Sequence, residues 1–280
     1  MSKMRSLVVA VVAASLAGTL PAHAADADVA LSRLDCGGSP EPRSVAAFSD
    51  TYAYPDLALQ LTYGCYLVRH GDRYMVWDTG KPADGSPGAA KASLVDQLAQ
   101  AGIAATDVGF VGISHYHNDH TGQLASFHGA TLVIGQGDWA AVRPEAPPDG
   151  VPREDHDRRR APFAHWTSGD GTVEPLRSPQ HDVFGDGSVV MIGLPGHTPG
   201  HYGLLVRLEE RGNVLLTGDV THFHENYDTN GVPEWNTDRA DSLASLARFK
   251  EIADNLEATV VIQHDPRDVD KLPAFPEFAE

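Results

Sequence analysis

The sequence predicts an α/β fold in which two mixed sheets pack face to face, with helices on the outer faces. Three observations carry this expectation. Short β-branched runs recur along the chain, helical text is sparser, and the two kinds are interspersed rather than segregated. The strand candidates are TYGCYLVRHG, DRYMVWDTG, DVGFVGISHYH, ATLVIGQGD, SVVMIGLPGH, HYGLLVRL, GNVLLTGD and ATVVIQHD. Each is a short apolar run that ends on polar residues able to do chemistry. One helix is expected from about Ala90 to Ala101 and another from Thr237 to Leu256. The second places Leu243, Leu246, Ala247, Phe249, Ile252, Ala253 and Leu256 on one broad face. Thr237 is the expected cap, with Asp238 and Asp241 near the positive end of the helix dipole.

The chain has 280 residues, enough for a core that needs no staples. Its first segment is expected to stand apart. Residues 1–24 open with Lys3 and Arg5, continue through an apolar stretch and close on Ala22-His23-Ala24, the pattern of a secretory signal. Export to a periplasm or the medium follows, with no membrane span in the mature form. The remaining residues, 25–280, are expected to form a single domain. Within it, Arg143 to His165 is rich in proline and charge, which excludes a core strand and suggests a loop or a lid.

Formal charge is −17, and loss of Lys3 and Arg5 with the leader makes it −19. Such a field repels polyanions, so no nucleic-acid partner is expected. Cys36 and Cys65 could pair in an oxidising compartment or remain as buried thiols; their spacing does not suggest a thiolate metal site.

The chemistry concentrates in GISHYHNDHTG, residues 112–122. His115 and His117 are two apart and point to one side of an extended chain, and Asp119 and His120 follow as the chain turns. Three imidazoles and a carboxylate on one turn are costly to desolvate without a metal or partners. Other apolar runs end on His197, Asp219 and His264. Seven such ligands exceed what one zinc can use and suit two metals sharing a carboxylate.

This pattern, HxHxDH followed by GHTPGH, TGD and a late histidine, resembles the metallo-β-lactamase fold superfamily, and WDTG (Trp77 to Gly80) matches its early turn. The resemblance implies an αββα sandwich with metals along one edge. It implies His115, His117 and His197 on a first ion, Asp119, His120 and His264 on a second, and Asp219 between them. Asp78 would support the turn or a ligand. The implied cofactors are two Zn2+ ions or other divalent metals.

Within the superfamily the chain is most like the N-acyl homoserine lactonases, including the signal-bearing, quorum-quenching kind. The early hairpin GCYLVRHGDRYMVWDTG and the final His264-Asp265 pair carry that likeness. It implies a small-molecule lactone substrate, attack by a hydroxide held between the metals, and a candidate homodimer. One departure stands out. Many lactonases place a tyrosine three residues after the bridging aspartate, where this chain has His222. His222 and Asp119 are therefore the catalytic candidates, with a surface role as the bland alternative for His222. His201 is expected to support the His197 turn, and His224 is a weaker candidate beside His222. The rival readings are a periplasmic metallo-β-lactamase and a phosphoester or organophosphate hydrolase.

Overall fold

The structure, a computed structural model, describes residues 28–280; the expected leader over residues 1–24 lies outside them. Along the chain the strands are β1 (Val29–Gly38), β2 (Arg43–Ser44), β3 (Ala58–Leu59), β4 (Thr62–His70), β5 (Arg73–Trp77), β6 (Val108–Ile113) and β7 (Thr131–Gly135). They continue as β8 (Val173–Leu176), β9 (Gln180–Asp182), β10 (Val189–Gly193), β11 (Tyr202–Leu208), β12 (Gly212–Leu216) and β13 (Thr259–Val261). The α-helices are α1 (Leu94–Gln100), α2 (Asn118–Thr121), α3 (Gln136–Val142), α4 (Arg153–Arg160), α5 (Ala164–Thr167), α6 (His224–Thr229) and α7 (Arg239–Asn255).

The expected pair of mixed sheets is present. One is six-stranded in the order β1-β4-β5-β6-β7-β8, the other five-stranded in the order β13-β12-β11-β10-β9. β4 pairs antiparallel with β1 and β5, after which β5 to β8 run parallel. In the second sheet only β12 and β13 are parallel. Period-two alternation sorts the side chains into layers. Tyr66, Val68, Met75 and Trp77 of the first sheet meet Met191, Leu204, Val206, Val214 and Leu216 of the second. The opposite set, including Leu67, Val76, Val111 and Ile113, packs outward with Leu94 and Leu98 of α1 and Trp139 of α3. On the far side, Ile192, Leu205 and Leu215 lie against Phe249 and Ala253 of α7.

Three local expectations are corrected. Asp238, not Thr237, caps α7 by accepting the Asp241 N–H at 2.8 Å. The Thr237 hydroxyl instead donates to the His197 carbonyl at 3.2 Å. The buried face of α7 is rotated: Ser242 and Ser245 are buried while Ala247 is exposed. Its first turns lie against the 195–197 loop, where Ser245 Oγ donates to the Pro195 carbonyl at 2.6 Å and a Cβ on Gly196 would meet Ser242 N at 2.3 Å. Finally, the Arg143–His165 segment is a loop only to residue 152 and is helical from Arg153 onward. It carries α4 and leads into α5, and Phe163 and Trp166 dock in the outer core of the first sheet.

Cys36 and Cys65 form a disulfide that joins β1 to β4. It lies directly under the turn after β5, since a Cβ on Gly80 would come within 2.5 Å of Cys36 Cβ and 3.0 Å of Cys65 Sγ. Gln263, just after β13, ties the two sheets together. Its amide oxygen accepts from Trp77 Nε1 and the Gly218 N–H, and its nitrogen donates to the Gly64 carbonyl and Asp78. None of the described helices is long and apolar enough to cross a membrane.

Candidate metal centre

Each expected ligand stands at a strand end or in the turn that follows it. β6 ends at Ile113 and delivers His115 and His117; the short helix α2 then presents Asp119 and His120. β10 leads to His197, β12 to Asp219 and β13 to His264. The sheet edge brings all seven together in two groups, His115, His117, His197 and Asp219 in one, and Asp119, His120 and His264 in the other.

In the first group, His197 Nε2 lies 3.2 Å from His115 Nε2 and 3.0 Å from His117 Nδ1, and those two are 2.9 Å apart. In the second, His120 Nε2 and His264 Nε2 are 3.2 Å apart, and His264 Nε2 is 4.0 Å from Asp119. Asp219 divides between them. Its Oδ2 faces His115 at 3.6 Å and His197 at 3.3 Å, while its Oδ1 faces His264 at 2.9 Å and His120 at 3.2 Å.

The far sides of the rings are fixed by acceptors. His120 Nδ1 is 2.9 Å from Asp78 Oδ2, His264 Nδ1 donates to the Thr62 carbonyl at 2.7 Å, and His197 Nδ1 donates to Asn236 Oδ1 at 2.8 Å. Such contacts set the tautomer that leaves Nε2 free as a ligand. Asp78 has φ +55, a conformation rare outside glycine, and is over-determined there. Its Oδ1 accepts the Ser114 N–H at 2.7 Å, and the next residue, Thr79, donates its N–H to the His120 carbonyl. His201 closes the turn that carries His197, as expected, and also braces the turn at Asp219. Its Nε2 accepts the Asp219 N–H at 2.8 Å, and its Nδ1 donates to the Leu194 carbonyl at 3.1 Å.

Charge is distributed unevenly. Burial pushes His115 and His197 well below the ordinary imidazole range, and takes His117 down to about 4 and His201 to about 3. Burial also opposes charge on His120 and His264, but Asp219, joined by Asp78 at His120 and by Asp119 at His264, outweighs it and raises both. For Asp219 burial opposes ionisation, and His264 and His120 overcome it, holding the acid well below its usual range.

His222 is not a surface histidine. It is only 2% exposed, and its Nε2 lies 3.1 Å from Asp219 Oδ2. His224 points elsewhere, its Nε2 2.7 Å from Asp268. A pocket of about 150 Å³ opens over the centre, lined by His117, Asp119, Asp219, His222 and His264 and walled by Arg43, Phe48, Leu61, Tyr63 and Trp235. No residue of the Arg143–His165 segment lines it.

Residues 64–264 match the family description Metallo-beta-lactamase superfamily, a span that contains the whole cluster. The chain belongs to the metallo-beta-lactamase superfamily. An N-acyl homoserine lactonase AttM of Rhizobium radiobacter is 33% identical over 186 residues, covering 66% of this chain and 68% of the relative. The N-acyl homoserine lactonase AiiA of Bacillus thuringiensis subsp. kurstaki is 24% identical over 242 residues, covering 80% and 89%. A solved quorum-quenching N-acyl homoserine lactone lactonase superposes with a TM-score of 0.72 at 22% identity, covering 89% of this chain and 97% of that one. The same superfamily fold recurs in AidC, a dizinc quorum-quenching lactonase solved with a product, at TM-score 0.64 and 15% identity over 90% and 94% of the two chains.

The residues of this metallo-beta-lactamase centre fit two zinc ions. Nitrogens about 2.0–2.1 Å from a tetrahedral zinc lie roughly 3.3 Å from each other, close to the spacings of the three-histidine group. Asp219 Oδ1 is buried and accepts no hydrogen bond, although it sits among ring nitrogens. A carboxylate oxygen left that way is costly unless a cation takes it up.

Several contributors carried no signal in the sequence. Thr62 acts through its backbone carbonyl, and Asn236 and Ser114 are single polar residues without motif spacing. Asp138 ended one of the recognised apolar runs, but nothing local showed what it would touch.

Proposed function

We propose that this chain is a dinuclear zinc hydrolase that opens the lactone ring of N-acyl homoserine lactones, and that it acts after export. The observation that carries the reading is Asp219, which offers one oxygen to each histidine group beneath a single pocket. The AttM relatives support the substrate class, and the apolar wall of Phe48, Leu61 and Trp235 suits an acyl chain. Export is supported by the leader pattern and by the Cys36–Cys65 disulfide, which fits an oxidising compartment.

Bound zinc would supply Lewis acidity toward a carbonyl oxygen and lower the pKa of water at the site. The chain's own groups handle orientation and protons. Burial disfavours charge on Asp119, yet His120 and His264 beside it hold its pKa below the ordinary value, so it is ionised at neutral pH. Its carboxylate can take a proton from the attacking water and return it to the ring oxygen as that C–O bond breaks. Water thus adds to the carbonyl carbon, and the product is the ring-opened N-acyl homoserine. His222, in the pocket wall, faces an acceptor at each ring nitrogen, Asn226 Oδ1 at 3.3 Å and Asp219 Oδ2 at 3.1 Å, and as the imidazolium it can donate from Nε2 to the substrate carbonyl.

The decisive experiment compares kcat/KM of the zinc-loaded protein on short- and long-chain acyl homoserine lactones, a cephalosporin and a phosphotriester. Lactones should be turned over fastest; a higher value on either alternative would overturn the assignment. His117→Ala and Asp219→Ala should both lose turnover and bound zinc, and full activity in a metal-depleted His117→Ala protein would contradict the site.

A further inference from the structure

We infer that Asp138 is a positioning residue whose buried carboxylate clamps the loop carrying His115 and His117 to the loop carrying His197. The inference rests on the proposed reading of these histidines as ligands, and it assigns a task to a strand-end acid outside the ligand set. Asp138 lies in the first turn of α3, just beyond β7, and is fully buried. Its Oδ2 accepts the Tyr116 N–H at 3.1 Å and the Thr198 hydroxyl at 2.8 Å, and its Oδ1 accepts the Gly200 N–H at 2.7 Å. Tyr116 sits between His115 and His117, and Thr198 follows His197 directly. All three donors therefore belong to the two loops that hold the three-histidine group.

The backbone around Asp138 leaves little slack. A Cβ on Gly200 would meet Asp138 N at 2.4 Å, and one on Gly137 would meet the Pro199 carbonyl at 2.7 Å. The 135–138 turn and the Pro199-Gly200 turn thus touch backbone to backbone, which lets a short acid side chain span both loops. Its partners are uncharged donors, so burial raises the pKa of Asp138 to about 7 against their opposing pull. A group held at that desolvation cost, with every contact directed at the ligand loops, is well placed to fix their separation.

The other half of the centre has its own supports. His120 is held by Asp78 and His264 by the Thr62 carbonyl, and neither contact involves Asp138. Loss of the Asp138 carboxylate should therefore be felt by one metal and not the other.

The test titrates zinc into the metal-free full chain against a chromophoric chelator, with visible spectra of the cobalt-substituted form and thermal midpoints recorded alongside. Wild type should bind two equivalents. Asp138→Ala should keep one at wild-type affinity and weaken the other by about 10–100-fold, as loss of outer-shell partners does. Asp138→Asn, which keeps one acceptor oxygen, and Thr198→Val, which removes one donor, should show smaller losses of the same equivalent. Asp78→Asn should weaken the complementary equivalent, and the double variant should weaken both. Wild-type affinity for both ions in Asp138→Ala, or equal weakening of both, would overturn the inference. If Asp138→Ala does not fold, the milder variants decide by the same asymmetry. Fewer than two equivalents in wild type would instead defeat the dinuclear reading itself.

Discussion

Among single residues, His222 tests the mechanism most directly. It stands where the resemblance leads one to expect a tyrosine, yet it is buried and packs edge-on against Phe48 with ring centroids 4.9 Å apart. Asn226 Oδ1 accepts its backbone N–H at 3.2 Å, and the amide nitrogen of Asn226 donates to the Phe48 carbonyl at 3.0 Å. The same Asn226 oxygen lies 3.3 Å from Nδ1 of the ring, which holds the imidazole in place rather than leaving it to swing in solvent. His222→Phe keeps the packing and removes the donor. It should lower kcat by about 100-fold, at the lower end of what acid–base and hydrogen-bonding side chains contribute, with both metals retained. His222→Tyr should recover much of that loss. Steady-state kinetics with metal analysis would check both, and unchanged kcat in His222→Phe would remove His222 from the mechanism.

At the scale of elements, the disulfide and the turn after β5 act as one unit. The bridge closes a loop with a sequence separation of 29 and supports Gly80, whose φ of +57 and close contact with both sulfurs exclude a larger residue. Replacing both cysteines with serine should cost about 3–4 kcal/mol of stability on the loop-entropy estimate, measurable by chemical denaturation. The same loss should appear on reduction. Elements of this kind also show how far the sequence could be read. The ligands were legible because they form a local motif or end an apolar run, so periodicity placed them at one sheet edge. The eight strand candidates correspond to β4 to β7 and β10 to β13 for the same reason. β8 and β9 are short: β8 reads VEPL, interrupted by a proline, and β9 only QHD, too little text to carry a period. The helical character of Arg143–His165 was hidden because α4 is almost entirely charged and its docking depends on Phe163 and Trp166 downstream. Asp238 displaced Thr237 as the α7 cap because Thr237 was already committed to His197.

Across the whole molecule, the buried histidines link stability to pH. Burial holds His117 at about 4 and His201 at about 3, below the ordinary 6.5, with His115 and His197 also well below it. Between pH 6.5 and 4 the unfolded chain therefore binds more protons at these four sites, and the folded state loses stability as the pH falls. Asp138, raised to about 7, opposes this in the same range, but it is one group against four. Above pH 6.5 the raised pKa values of His120 and His264 act the other way, because the folded state holds protons that the unfolded chain has released. The metal-free protein should thus be most stable near pH 6.5. Denaturant midpoints at pH 4.5, 6.5 and 8.5 would show a maximum in the middle, and a monotonic rise across that series would contradict the charge assignment. The shared carboxylate of Asp219 carries a separate consequence. The first cation to arrive immobilises a side chain that its successor also requires, so the later arrival is spared that ordering entropy. For one short, already buried side chain that saving is at most about 1 kcal/mol, so the later ion should bind a few-fold more tightly than it would alone while the two equivalents stay separately resolvable.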